Sequence, residues 1–148
     1  MTPKQAHWDA IAAMDFNTSM VARISGHLPV VSKPHEAEAA WTKSDVVLLS
    51  PTLFLRHQQA TSSLQLPESW SVSSDSIAAF TALHWPAKEL LFCKSCDLPK
   101  DGLTQICNTG LLDLWVPELM PSLRNATIQL KWLNLNADHG GINRIRWT

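Results

Sequence analysis

Apolar positions recur at helical spacing early in the chain, at Ala6, Ala10, Ile11, Met14, Thr18 and Val21, which predicts a first helix of roughly five turns. Thr2 stands where a cap belongs, Pro3 suits the first helical position, Gln5 can complete a capping box, and Gly26 is a natural stop. Leu28 to Val31 reads as a short strand, and Pro34 with the Ala/Glu-rich stretch His35 to Trp41 as a second helix. Val46 to Leu49 is an unbroken apolar run of the kind found in a buried parallel strand. Ser50-Pro51 then restarts a helix that runs to about His57. A Pro-, Trp- and Ser-rich loop from Pro67 to Ser74 leads into a helix opened by Asp75, and the apolar strand Leu90 to Cys93 ends abruptly in Lys94, Ser95 and Asp97. Further on, Asp101 to Asn108 reads as a helix closed near Gly110, Pro117 to Leu123 as another, and Ile128 to Leu133 as the last strand. The tail from Asn134, with Gly140, Gly141, Arg144, Arg146 and Trp147, receives no element. Strands alternating with helices predict an α/β fold with a mostly parallel sheet.

The chain has 148 residues, enough for one domain with a real core and short of two ordinary ones. A single domain is therefore expected. Apolar residues make up 45% and charged residues 17%, as in a globular protein rather than a disordered one. The net charge is −1 and the 12 basic residues are scattered, which argues against nucleic acid as a partner. The longest apolar run, Val46 to Leu55, is interrupted by Ser50-Pro51 and is too short to span a bilayer, and the amino end has no apolar signal core. A cytoplasmic protein that does not contact membrane is expected. Three cysteines, Cys93, Cys96 and Cys107, predict reduced thiols rather than a disulfide framework.

In an open α/β sheet, ligands gather where strand carboxyl ends meet helix amino ends, because unpaired N–H groups and the helix dipole favour anions there. Asp75 and Lys94 stand at two such ends. Lys94 offers a compact positive charge to a phosphate, or else forms an ordinary surface ion pair. Asp75 is either a working carboxylate or a residue that simply favours the helix macrodipole. Ser73, Ser74 and Ser76 supply hydroxyls that can bind a phosphate or carboxylate, or can serve as plain caps. The Cys93-x-x-Cys96 spacing invites a zinc or redox reading, but a zinc site would need Cys107 and a distant histidine such as His84 or His139 to complete it. Two buried or half-buried free thiols are the better expectation. Gly140-Gly141 lacks the flanking strand and helix of a phosphate loop, and no metal site is assigned.

The segments SSDSIAAF and AKELLFCKSCDL resemble the carboxyl-terminal-lobe signature of the amino acid kinase family, which includes the acetylglutamate, aspartate and uridylate kinases. The loop LPESWSVSSDSIAA and the Lys94-Ser95 pair are most similar to the branch that acts on furan phosphates in methanofuran-type cofactor synthesis. The likeness covers about Ala6 to Asn134 and is strong between Leu66 and Asp97. It implies a three-layer α/β/α fold and an ATP-dependent phosphotransferase acting, with Mg²⁺, on a small phosphate or carboxylate. By the same resemblance Asp75 is the catalytic position, Lys94, Ser95 and Asp97 lie on the nucleotide side, and Trp70, Ser73 and Ser74 lie on the acceptor side.

One departure changes that picture. The family carries an amino-terminal strand with a Lys followed by two glycine-rich turns, and this sequence has five glycines and no Lys-Gly-Gly motif. The chain resembles a truncated member lacking those strands, and removing even one oxyanion-type donor lowers rate by about 10²–10³. Activity is thus expected to be impaired or to depend on a partner. The alternative is a non-catalytic binding or assembly subunit, whose exposed sheet edge favours a protein partner or a second copy of the chain.

Overall fold

The computed structural model describes residues 1–100, 103–137 and 141–145. Contacts gather into two compact units, Met1–Trp70 and Ser71–Thr148.

In the first unit, helix α1 (Pro3–Ile24) begins as its sequence predicts, with the Thr2 hydroxyl accepting the Gln5 N–H at 3.2 Å. It ends where Gly26 adopts φ +82° and the His27 N–H reaches back to the Ala22 carbonyl at 2.8 Å. That closure satisfies a carbonyl the helix end would otherwise leave bare. The inner stripe is displaced from the expected one: His7, Ile11 and Ala22 are buried, whereas Val21 is 45% exposed. His7 can lie inside because its Nδ1 has a partner, the Ser69 carbonyl at 3.1 Å, so a polar residue holds a position that a count of apolar ones leaves out.

Strand β1 (Val30–Val31) is followed by α2 (Pro34–Trp41), strand β2 (Leu48–Leu49) and α3 (Pro51–Thr61). The two strands pair in parallel, Val30 opposite Leu48 and Val31 opposite Leu49. The buried strand expected over Val46 to Leu49 is thus shortened to two half-buried residues, with Val46 50% exposed. A two-stranded ribbon cannot enclose both faces of a strand, so the apolar run lacks the cover that such runs have in larger sheets. Helix α3 extends past His57 to Thr61, since no Gly or Pro interrupts it there. It packs on α1, and Ile11, Phe54 and Leu55 are buried.

In the second unit, α4 (Ser74–His84) precedes β3 (Glu89–Lys94), α5 (Leu103–Asn108), α6 (Val116–Asn125), β4 (Gln129–Asn134) and β5 (Ile142–Arg144). The sheet order is β3-β4-β5, with β3 and β4 parallel and β5 antiparallel to β4. Strand β5 lies in the tail that the sequence leaves without an element. Along β3, Leu90 and Phe92 are buried while Glu89, Leu91 and Cys93 are exposed. The expectation of a buried or half-buried Cys93 is therefore corrected: alternate side chains of a strand point to opposite faces, and Cys93 shares the outer one. Cys96 is half-buried and Cys107 buried, all three as free thiols. Leu130 and Trp132 of β4 continue the inner face, and the Trp132 indole N–H donates to the Cys96 carbonyl at 2.8 Å. Helix α4 packs on β3 and α6, burying Ile77, Phe80, Leu119 and Leu123.

The predicted helix start at Asp101, together with Gly140, His139, Arg146 and Trp147, lies outside the described residues. The fold is mixed helix and sheet, with small parallel and mixed sheets, in keeping with an α/β reading. Among the described residues no helix is long and apolar enough to cross a membrane.

Candidate functional site

The amino end of α4 is closed from outside the helix. Ser73 occupies the cap position, yet its side chain makes no capping bond to its own helix. Instead the Asp113 carboxylate accepts the Ser73 N–H at 2.8 Å and the Ser76 N–H at 2.9 Å, and also accepts the Ser73 hydroxyl. Asp113 lies between α5 and α6, within Leu111-Leu112-Asp113-Leu114-Trp115. A carboxylate so placed satisfies orphan donors and sits at the positive end of the macrodipole. The N–H groups of Ser73 and Ser76, which would otherwise suit a phosphate, thus already hold an anion belonging to the chain.

One turn of helix brings Asp75 beside the end of β3. Lys94, the last residue of that strand, places its Nζ 2.7 Å from Asp75 Oδ2, and the two side chains are 22% and 13% exposed respectively. Burial pushes the Asp75 carboxyl above its ordinary value of 3.8; the Lys94 ammonium pulls it down and the Asp113 charge adds to the upward push. Cys107 answers to the same surroundings. Burial, then the Asp113 and Asp75 charges, push its thiol up to about 11, so it stays protonated and unreactive near neutrality.

Of the residues singled out from the sequence, the fold brings together Asp75, Lys94 and, through Asp113, Ser73. Ser74 is exposed in the first turn of α4. Ser95 and Asp97 lie just past β3, both exposed; the Asp97 carboxylate accepts Asn134 Nδ2 at 2.8 Å and the Ser95 carbonyl accepts Asn136 Nδ2 at 3.0 Å. They are thus bound to the last residue of β4 and to the turn that follows it. Trp70 closes the first unit and is 72% exposed. Ser76 is fully buried and its hydroxyl meets no hydrogen-bond partner among the described residues.

Sequence reasoning missed Asp113. A signal was present, since a lone acid inside an apolar pentapeptide must either face solvent or find donors. The arrangement combines two carboxylates with one ammonium, so it is anionic unless Asp75 takes up a proton. A bare polyphosphate would be repelled there, whereas a cation or a metal-shielded phosphate would be tolerated. No family model matches this chain, and no curated protein matches it.

Proposed function

We propose that the chain is an amino acid kinase-like domain of three-layer α/β/α type without the family's glycine-rich turns, and that it works as an ATP-dependent phosphotransferase on a small phosphate or carboxylate. The observation that supports this reading is the Asp75–Lys94 pair at 2.7 Å, which couples a helix amino end to a strand carboxyl end. Lys94, still 22% exposed, is the residue that would meet the nucleotide, with Ser95 and Asp97 exposed beside it on the same loop. ATP would supply the phosphoryl group. Magnesium would arrive on its phosphates, as that ion commonly does. Asp75 would hold Lys94 in place against the transferred group, a positioning and electrostatic role. The donors that glycine-rich turns provide would come from a partner chain or segment, as the impaired site requires.

Thermal unfolding with and without millimolar Mg-ATP tests the proposal, because a ligand bound only to the native state raises stability by mass action. The midpoint should rise in the wild type and stay unchanged in Asp75→Asn and Lys94→Met. An unshifted wild type would overturn the reading.

A specific observation favours the second reading, a non-catalytic subunit that keeps the lobe. Asp113 already occupies the N–H groups of Ser73 and Ser76, so the helix end needs no exogenous anion. Such a subunit should associate through its sheet edge, with itself or with another protein. Light scattering that returned a monomer across the micromolar range would exclude self-association.

A further inference from the structure

A second cluster of charge lies in the first unit, unrelated to Asp75 and Lys94. A cleft of about 590 Å³ is lined by Thr2, Lys4, Gln5, Trp8, Arg56 and Gln59, with Glu68 completing the wall. That volume is in the range of small-ligand sites, about 300–1,000 Å³. Both oxygens of Glu68 are engaged: one pairs with Lys4 Nζ at 2.6 Å and the other accepts the Trp8 indole N–H at 2.7 Å. Both contacts hold its carboxyl below the ordinary range, the Lys4 bond more than the indole, against the opposing push of desolvation. Arg56 is different. Its guanidinium lies 4.4 Å from the Trp8 ring centroid, close enough for a cation–π contact, and among the described residues no carboxylate reaches it.

A guanidinium resting on an aromatic face loses little freedom when it engages a carboxylate or phosphate, and its planar fork matches either in two parallel bonds. Lys4 spends one of three ammonium donors on Glu68, which leaves two. The neighbouring Gln5 and Gln59 amides and the Thr2 side chain add short-range polar groups to the same wall. With Lys4 and Arg56 against Glu68, the lining carries one net positive charge.

We infer that this cleft binds a small organic anion, its carboxylate or phosphate held by Arg56 with help from Lys4 while its body lies along Trp8. Glu68 acts as the fixed strut that aims both Lys4 and the indole. The site owes nothing to the phosphotransferase reading, since it is built from residues of the first unit alone.

The Trp8 indole N–H resonance reports the site directly, because that proton sits in the Glu68 hydrogen bond. Two-dimensional ¹H–¹⁵N spectra of the full chain, with the Trp8 peak assigned by Trp8→Phe, are titrated separately with citrate and inorganic phosphate at constant ionic strength. Saturable movement of that peak is expected with at least one of the two, and whichever saturates lower identifies the head group. Arg56→Gln should weaken it at least about tenfold, the loss expected from removing a charge-assisted contact. Arg23→Gln, on the exposed far part of α1, and Asp75→Asn should leave the titration unchanged. Linear drift without saturation in both titrations, or an equal loss in Arg23→Gln and Arg56→Gln, would overturn the inference. A Mg-ATP stabilisation that vanished in Arg56→Gln but survived in Asp75→Asn would belong to this cleft and would sink the kinase-lobe proposal instead.

Discussion

Asp75 concentrates the electrostatic tension of the second unit. It is largely withdrawn from water, which favours its neutral form, and it faces one cation and one further carboxylate. The net displacement is upward from 3.8, so in the pH window just above that value the folded chain holds more protons at this residue than the unfolded chain. Stability contributed by the group is therefore present in acid and is lost as pH rises through the folded-state titration. Urea unfolding of wild type and Asp75→Asn from pH 3 to 7 should show the wild-type advantage shrinking with increasing pH and then levelling off. An advantage that grew with pH would mean that Lys94 outweighs desolvation. Lys94→Met, which leaves the carboxylate without its cation, should cost about 1–3 kcal/mol at pH 7, less than a fully buried pair because Lys94 keeps some water.

Helix ends in both units are closed by carboxylates borrowed from elsewhere in the chain. Asp113 does so for α4, and Asp15 of α1 does so for α3, accepting the Ser50 hydroxyl at 2.8 Å and the Thr52 N–H at 3.2 Å. A borrowed cap fixes the helix start and pins two separate stretches of sequence together. Asp113→Ala removes the acceptor for two N–H groups and one hydroxyl, so it should destabilise the chain by about 1–3 kcal/mol. Chemical denaturation measures this. Asp113→Asn, retaining one acceptor oxygen, should recover part of the loss. Magnesium-free phosphate should restore the Ala variant if the vacated donors can still bind an anion, and no restoration would show that the carboxylate serves the fold alone. The helices themselves were legible in the sequence, because Thr2, Pro3, Pro34, Pro51 and Pro117 mark their starts locally. Neither borrowed cap was, since each joins residues more than thirty apart, 35 for Ser50 to Asp15 and 40 for Ser73 to Asp113.

At the scale of the molecule, the three cysteines report how the second unit opens. Cys93 is exposed at the outer face of β3, whereas Cys107 is 2% exposed and burial pushes its thiol up to about 11. At pH 8 a thiol reagent should modify Cys93 at once and Cys107 only as fast as the surrounding core unfolds. Rapid modification of Cys107 without denaturant would mean that this core opens locally. Sequence alone determined what nearest neighbours control: helix starts, the stop at Gly26, the order of strands and helices as far as β4, and the placement of Asp75 and Lys94 at element ends. Tertiary structure decided which face of β3 is inner, where the tail pairs as β5, that Asp75 and Lys94 meet, and that Asp113 closes α4. The reason is physical. Caps and turns are settled by groups within a few residues, while burial and charge pairing depend on which distant segment arrives, and hydrophobic periodicity carries no record of that partner.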